Sequence, residues 1–375
     1  MSNESATIPN PDGGWSTEIV TIRDAIVMPP EISKMRQPAG VLHRDGSYCA
    51  HAALWRGKKP ITLEPSMPTG PLPRLEGRWL WGGLLWAHFG HFLAESTARL
   101  WALDYEGGKF DGVLFIPKRP RLGEQIQPFH RDYLDMMGCN LPIRVMAEPG
   151  EVEELIVPGQ GFGLGEISAG TEAYRASIHK RFGADVPADG PDRLYVSRSE
   201  LGLGKGGLLG EVTLEEKLAE QGYEIFHPQK HDMKTQVARY KAAKQIIAGD
   251  GSALHLFAMV GRPDQQVAVV LRRSSNVVDN LINHLTHFCE REPIVLDALA
   301  REWVPQFKQR SSRLSFGELH LPRLQRKLVR SGFIERREPW RPLSDEDRNA
   351  IFAEKGLTGD RAFVEGTAIV KRNKK

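Results

Sequence analysis

The most informative part of the sequence is Gly249-Asp250-Gly251-Ser252-Ala253-Leu254-His255-Leu256, a glycine turn between two apolar runs. The run before it, 245–248, predicts a buried strand, and the run 256–260 predicts the start of a buried helix. A strand, a glycine turn and a helix aim backbone N–H groups and the positive end of the helix at an anion. Gly251 can also adopt backbone angles that a larger residue avoids. The alternative is an ordinary tight turn between buried elements.

Strands and helices alternate on both sides of this turn. Before it, the pattern predicts strands at 16–28, 79–81, 111–116, 142–146 and 154–157 and helices at 84–103, 123–137 and 171–182. After the turn-rich linker 183–192, it predicts strands at 193–198, 223–226, 245–248 and 266–271 and helices at 213–221, 233–243, 277–288 and 321–331. This alternation indicates an α/β fold with largely parallel sheets. We expect two such domains with a cleft between them, and ligands at the carboxyl ends of strands.

Composition excludes several classes of protein. The 375 residues carry a net charge of only +3, so nothing predicts a nucleic-acid partner. The three cysteines are widely spaced and form no CxxC pair, which favours a reducing compartment. The N-terminus lacks the basic and apolar regions of a signal peptide, and no apolar run approaches the ~20 residues of a membrane span. We expect a cytoplasmic protein with a solvated basic tail at Lys371–Lys375, and peripheral contact with a membrane stays open.

Two histidines and a glutamate lie inside the predicted helix 84–103. His88, His91 and Glu95 stand at i, i+3 and i+7, which places them on one helix face. Three interpretations stay open for this group. It can hold a metal ion, although the spacing is not HExxH; it can form a structural hydrogen-bond network; or it can be an acid/base pair in the cleft.

Basic residues follow the first strand of the second series. Ser197-Arg198-Ser199 puts an arginine at the carboxyl end of a strand, where it either binds a phosphate or lies on the surface. The loop 201–210 contains five glycines and Lys205, but no Gly-Lys-Ser/Thr ends it, so it is not a Walker A loop. It is either a loop that closes over a ligand with Lys205 or a plain surface loop.

The ordered set of these motifs resembles glycosyltransferase family 61, the DUF563 group of capsular-polysaccharide enzymes and of eukaryotic xylosyl- and N-acetylglucosaminyltransferases. The similarity covers roughly residues 80–275. The motifs that carry it are His91-Phe92-Leu93-Ala94-Glu95, Leu194-Tyr195-Val196-Ser197-Arg198-Ser199, Gly210-Glu211, Gln236 in the helix before the turn, and Gly251-Ser252-Ala253-Leu254. Two positions depart from the family pattern. Asp250 stands where a histidine often precedes the glycine, and His255-Leu256 replaces a Thr-Asn or His-Asn pair.

The resemblance implies a GT-B-like architecture of two Rossmann-like domains facing an interdomain cleft. It implies an acceptor-side domain at 1–185, a nucleotide-sugar-binding domain at 190–300, and a helix and tail at 301–375 that pack back on the first domain. It further implies inverting, metal-independent transfer from a nucleotide sugar, commonly a UDP-sugar, to an acceptor hydroxyl in polysaccharide or glycoconjugate synthesis. The nucleotide sugar is a co-substrate, and no cofactor is expected.

The resemblance also assigns roles to residues. It makes Glu95 the catalytic base, with His91 beside it. The residues assigned to the donor and its phosphates are Arg198, Lys205, Gly251, Ser252, Ala253, Leu254 and His255, and those in supporting positions are His88, Asp250, Glu211 and Gln236. Two rival hypotheses stay open: a metal-dependent hydrolase that uses His88, His91 and Glu95, and a nucleotide- or glycan-binding module without transfer activity.

Overall fold

The computed structural model describes residues 8–105, 107 and 109–366, and the chain divides into two compact units. The first unit is Met1–Asp185 and the second is Val186–Lys375, so the boundary lies in the turn-rich segment 183–192. The basic tail Lys371–Lys375 lies outside the described residues.

Among the described residues, the first unit has a mixed sheet of six strands and two small sheets of two strands each. Its strands are β1 (Ile19–Met28), β2 (Gln37–Pro38), β3 (Gly40–Leu42), β4 (Trp55–Arg56), β5 (Lys59–Pro60), β6 (Thr62–Leu63), β7 (Arg74–Leu85), β8 (Gly112–Pro117), β9 (Ile143–Val145) and β10 (Gly150–Pro158), and its helices are α1 (Phe89–His91), α2 (Pro128–Met136) and α3 (Glu172–Arg181). The sheet order is β3-β1-β10-β7-β8-β9. Strands β10, β7, β8 and β9 are parallel neighbours, whereas β1 is antiparallel to both β10 and β3. Every residue of β8 is buried, as expected for a strand covered on both faces.

The long strand β7 continues through Gly82 and Gly83, where the sequence predicted a break. A β-carbon at Gly82 would lie 2.3 Å from the ring of Phe115, so the sheet requires glycine there. Gly83 has a φ of +86°, and the pairing with β8 shifts register between Trp81 and Gly83, which marks a β-bulge. The predicted helix 84–103 is therefore wrong in extent. The strand ends at Leu85, α1 has three residues, and a π-helical turn (Phe92–Ser96) and a 3₁₀ turn (Leu100–Asp104) follow.

Among the described residues, the second unit has a parallel sheet of five strands and a smaller sheet of four strands. Its strands are β11 (Arg193–Val196), β12 (Gly207–Leu209), β13 (Glu224–Phe226), β14 (Gln245–Gly249), β15 (Gln266–Val270), β16 (Ile294–Leu296), β17 (Leu299–Pro305), β18 (Phe316–Leu319) and β19 (Phe363–Glu365), and its helices are α4 (Glu211–Ala219), α5 (Met233–Ala242), α6 (Ala253–Ala258), α7 (Val277–Phe288), α8 (Leu321–Arg330) and α9 (Asp345–Glu354). The main sheet has the order β13-β11-β14-β15-β16. In chain order this is 2-1-3-4-5, a doubly wound arrangement in which the winding direction reverses between β11 and β14.

The C-terminal part of the second unit adds a smaller sheet. Its order is β12-β18-β17-β19, so part of the glycine-rich loop 201–210 is a strand. Leu324 and Leu328 of α8 pack in the same buried cluster as Tyr195 and Ile247 of the main sheet. The described part of 301–375 therefore packs on the second unit. The predicted basic helix 321–331 is confirmed as α8, whereas α9 was not predicted.

The α/β class is confirmed in both units. The GT-B arrangement of the units stays a prediction. Among the described residues, no helix combines the length and the apolar character that crossing a membrane requires.

Candidate functional site

A serine hydroxyl fixes the end of β7 to the π-helical turn that carries Glu95. Ser96 Oγ accepts a hydrogen bond from the N–H of Trp86 at 3.0 Å and donates one to the carbonyl of Leu84 at 2.7 Å. Ser96 is completely buried. This link places the carboxylate of the preceding residue inside the first unit.

The Glu95 carboxylate is held by an arginine and a histidine. Arg56 donates from Nε to Oε1 and from Nη2 to Oε2, both at 2.7 Å, which is the bidentate geometry of a strong ion pair. His91 Nδ1 lies 3.0 Å from Oε2. The Glu95 side chain has no exposed surface, whereas that of His91 is 33% exposed. The structure therefore presents the imidazole, and not the carboxylate, to solvent.

Charge keeps this carboxylate ionised. Burial alone raises the pKa of Glu95, but the hydrogen bonds from His91 and Arg56 outweigh it and hold the pKa below its usual value. At neutral pH the group is therefore an anion paired with a guanidinium.

An aromatic ring and a lysine complete this group. The indole of Trp86 stacks on His91 with 4.6 Å between ring centroids, and the Arg56 guanidinium lies 5.3 Å from the indole. Lys118 Nζ lies 5.4 Å from the same ring and donates to the carbonyls of Lys34 and Met35. Burial, with help from the Arg56 and Arg119 charges, lowers the pKa of Lys118 to about 8.

His88 precedes the helix rather than sharing its face. Its backbone is extended, and its ring centroid lies 5.2 Å from that of His91. Within residues 8–105, 107 and 109–366, no group of three or more His, Cys, Asp or Glu side chains is arranged to hold a metal ion. The hydrolase hypothesis, which needs such a group, is therefore not favoured.

A second cluster lies at the carboxyl ends of β11, β14 and β15 in the second unit. Arg198, just after β11, donates from Nη2 to the carbonyls of Lys205 at 3.1 Å and Gly206 at 3.4 Å. Its Nε is buried and has no hydrogen-bond partner. Its guanidinium lies over Gly251, where a β-carbon would be 2.5 Å from Nη1. Arg198 and the glycine turn are thus one structural group, at the point where the winding of the sheet reverses.

Two further arginines surround Asp250 in this cluster. Arg272 donates from its backbone N–H to Asp250 Oδ2 at 3.0 Å and from Nε to the Asp250 carbonyl at 2.8 Å. Arg273 Nε donates to Asp250 Oδ1 at 3.1 Å. Arg272 is buried, which lowers its pKa to about 10 and still leaves it charged at neutral pH. Arg272 and Arg273 therefore both pair with Asp250, and Arg198 interacts with the same carboxylate electrostatically without a hydrogen bond to it.

Glu211 lies beside the carboxyl end of β11, next to Arg198. It is the first residue of α4, and its Oε1 accepts hydrogen bonds from Tyr195 Oη at 2.8 Å and from the Arg198 N–H at 3.0 Å. Burial raises its pKa, because water no longer solvates the carboxylate. The arginine cluster, defined as Arg198, Arg272 and Arg273 around Asp250, contains more cationic groups than the carboxylates of Asp250 and Glu211 balance.

Comparison with known proteins identifies the family. The protein-family model described as Glycosyltransferase 61 matches residues 89–267. The chain carries a glycosyltransferase family 61 domain. The sequence-based prediction of the family is confirmed, and so is the prediction of a glycosyltransferase, an enzyme that takes a sugar donor and a glycan acceptor. No curated protein matches the chain.

The structure brings together most of the donor residues predicted from the family 61 resemblance. Arg198, Glu211, Asp250 and Gly251 lie in one cluster. Lys205 contributes its backbone carbonyl to Arg198, while its own side chain is exposed. Ser252 and Ala253 follow Gly251 at the start of α6.

Other predicted residues have different contacts. Leu254 is buried in the interior. His255 Nδ1 lies 2.9 Å from Nδ1 of the buried His284, and Gln236 donates to the carbonyls of Pro228 and His231 at the start of its own helix. Their donor roles stay predictions.

Two physical arguments for the turn and one predicted helix boundary need correction. Gly251 does not have a positive φ, so glycine is needed there for space and not for backbone conformation. Helix α6 has only six residues, so the charge at its N-terminus is small. Helix α4 begins at Glu211, with Gly210 as its N-cap, rather than at Thr213.

Sequence analysis missed four residues of these two groups, namely two near Glu95 and two in the arginine cluster. Arg272 and Arg273 follow β15 after one residue, Leu271, so the rule that ligands bind at the carboxyl ends of strands pointed to them. Arg56 and Lys118 had no such signal, because their contacts join segments far apart in the sequence. Arg56, Arg272 and Arg273 also lie outside the matched residues 89–267.

Proposed function

We propose that this family 61 enzyme is an inverting, metal-independent glycosyltransferase that moves a sugar from a UDP-sugar to a hydroxyl of a glycan or glycoconjugate. In such a reaction a base takes the proton of the acceptor hydroxyl while its oxygen attacks the anomeric carbon. The attack comes from the face opposite the leaving diphosphate. The protein needs a group that accepts the proton and cations that stabilise the charge growing on the diphosphate.

The observation that carries the proposal is the arginine cluster. Its three guanidinium groups lie near only two carboxylates, those of Asp250 and Glu211. A diphosphate would supply the negative charge that balances these groups. Each guanidinium group can donate two parallel hydrogen bonds to two oxygens of one phosphate. Arg198 Nε is buried without a partner, and no hydrogen bond among the described residues uses the N–H groups of Gly251 and Ser252. These donors and the surplus charge support diphosphate binding without a metal ion.

The His91–Glu95 pair of the first unit supports the other half of the chemistry. A buried carboxylate hydrogen-bonded to a partly exposed imidazole is an arrangement that moves protons in many enzymes. The assignment of Glu95 itself as the base stays a prediction.

The test is a thermal-shift titration with UDP, UDP-xylose and UDP-N-acetylglucosamine in the presence of EDTA. A ligand at one hundred times its dissociation constant stabilises the folded state by about 2.7 kcal/mol, which raises the melting temperature. We expect a clear increase for the wild type and its loss in Arg198→Ala. Arg330→Ala, which removes an exposed arginine of α8, is the matched control and should respond as the wild type does.

Release of UDP from the stabilising donor then reports turnover. If EDTA abolishes either the shift or the turnover, metal independence is wrong. If no nucleotide sugar stabilises the wild type, the proposed donor class is wrong.

A further inference from the structure

The question within this proposed function is which atom takes the proton. The Glu95 carboxylate is closed to any substrate hydroxyl, because its side chain has no exposed surface and both oxygens accept hydrogen bonds from Arg56. A general base has to lie about 2.6–3.2 Å from the atom that loses the proton. To reach a hydroxyl, Glu95 would first have to leave Arg56, and its buried carboxylate would then lose the charge that pairs with it.

The lowered pKa of Glu95 also makes this carboxylate a weak base. The hydrogen bonds from His91 and Arg56 hold the pKa of Glu95 below its usual value. A base works best when its pKa lies near the working pH, so an arginine-paired carboxylate gives little driving force for proton transfer.

His91 has the opposite properties. One third of its side chain is exposed, and its ring is held in place by the stacked indole of Trp86. Nδ1 lies against Glu95 Oε2, whereas Nε2 has no hydrogen-bond partner among the described residues. Nε2 is therefore the polar atom of this pair that a substrate hydroxyl can approach.

The position of the ring hydrogen decides whether Nε2 can act as a base. Nδ1 also lies 3.2 Å from Arg56 Nη2, which could donate to it only if Nδ1 carried no hydrogen. Glu95 Oε2 is nearer, at 3.0 Å, and is an anion, so it is the stronger partner for an Nδ1–H. With the hydrogen on Nδ1, the lone pair lies on Nε2.

We infer that His91 Nε2 is the catalytic base of this transferase and that Glu95, fixed by Arg56, is a positioning residue. The acceptor hydroxyl gives its proton to Nε2 as its oxygen forms the bond to the anomeric carbon. The bond from that carbon to the diphosphate oxygen breaks, and its electron pair leaves with UDP. The buried carboxylate stabilises the imidazolium that forms, as a buried aspartate does in the Ser-His-Asp arrangement. The inference rests on the proposed transfer reaction.

The experiment measures UDP release from UDP-xylose and UDP-N-acetylglucosamine, with water or a glycan as acceptor, for the full chain and three variants. His91→Gly should lower kcat by about 10²-fold or more. Added imidazole should restore part of the loss in a saturable way, because it replaces the missing base. Glu95→Gln should retain more turnover than His91→Gly and should gain nothing from imidazole. His179→Ala, an exposed histidine on α3 of the same unit, should match the wild type.

A second readout needs no substrate. Nitrogen-15 NMR of the imidazole rings should show His91 with its hydrogen on Nδ1 in the wild type, and Glu95→Gln should change that signal. A folded His91→Gly variant that keeps the wild-type kcat, or that imidazole does not restore, overturns the assignment. A wild-type ring with its hydrogen on Nε2 does so too. Failure of the proposed function looks different: the wild type itself then releases no UDP from any donor.

Discussion

At Gly251 the missing side chain makes room for the guanidinium of Arg198. We predict that Gly251→Ala displaces this guanidinium, because the new β-carbon would lie 2.5 Å from Nη1. The backbone can stay in place, since the atom that has to move is the end of a flexible side chain and φ is not positive. UDP affinity should fall by about tenfold, which corresponds to about 1.4 kcal/mol of binding free energy, while the melting temperature of the free protein changes little. Calorimetric titration with UDP measures the first quantity and thermal unfolding the second.

The same turn offers a matched control for this substitution. A β-carbon at Gly249 would lie 3.6 Å from Arg198 Cδ, which is ordinary van der Waals contact. Gly249→Ala should therefore bind UDP as the wild type does. Equal losses in the two variants would mean that the turn as a whole, rather than the position of Arg198, controls affinity.

Single residues show where sequence analysis could and could not find the site. Arg272 and Arg273 stand directly after a predicted strand, and the rule applied to Arg198 would have included them. Arg56 lies in a region of short strands without periodicity, 39 residues before its partner Glu95. Its role depends on a tertiary contact that no local pattern encodes.

At the scale of elements, Asp104 anchors helix α3 to the 3₁₀ turn Leu100–Asp104. It accepts hydrogen bonds from Ser177 at 2.8 Å, Lys180 at 2.8 Å and Arg181 at 3.0 Å. Burial raises its pKa, but the hydrogen bonds from Arg181, Lys180 and Ser177 outweigh this effect and lower the pKa to about 2. The contact therefore stabilises the folded state fully above the unfolded pKa of ~3.9 and is lost as the pH falls through about 2.

We predict that Asp104→Asn lowers the free energy of unfolding by up to about 2 kcal/mol at pH 6, because one pKa unit corresponds to about 1.4 kcal/mol. The difference from the wild type should shrink as the pH falls from 4 towards 2. Urea unfolding at several pH values measures it. The control is Asp135→Asn, which breaks an exposed pair with Arg131 on α2 and should change stability little at any pH. A difference for Asp104→Asn that does not depend on pH would exclude an electrostatic anchor.

Local rules failed where tertiary packing overrides them. The glycine pair 82–83 predicted a break, since glycine weakens strands, yet Phe115 occupies the space that a side chain at Gly82 would take. Helix α9 was missed in a polar region. Its N-terminus nevertheless has a readable signal, because Ser344 and Asp347 form a capping box.

At the scale of the whole molecule, alternation of strands and helices was sufficient for the second unit. Each strand of its main sheet follows a helix or loop in regular order, and short crossovers leave few arrangements other than parallel ones. The arrangement of the first unit was less predictable, because its last strand in sequence, β10, lies between β1 and β7 in the sheet. Such an insertion depends on which edges are free when the chain folds, and hydrophobic periodicity does not encode that.

The second unit should fold and bind UDP without the first. Its main core extends from Tyr195 to Trp340, and the whole arginine cluster lies within residues 186–375. We predict that a fragment of 186–375 unfolds in one cooperative thermal transition and that UDP raises its melting temperature. The same fragment with Arg198→Ala should fold but lose the response, since the guanidinium over Gly251 is gone. An equal response in both fragments would place the diphosphate elsewhere. A fragment without a cooperative transition would show that the core of this unit is not sufficient for folding.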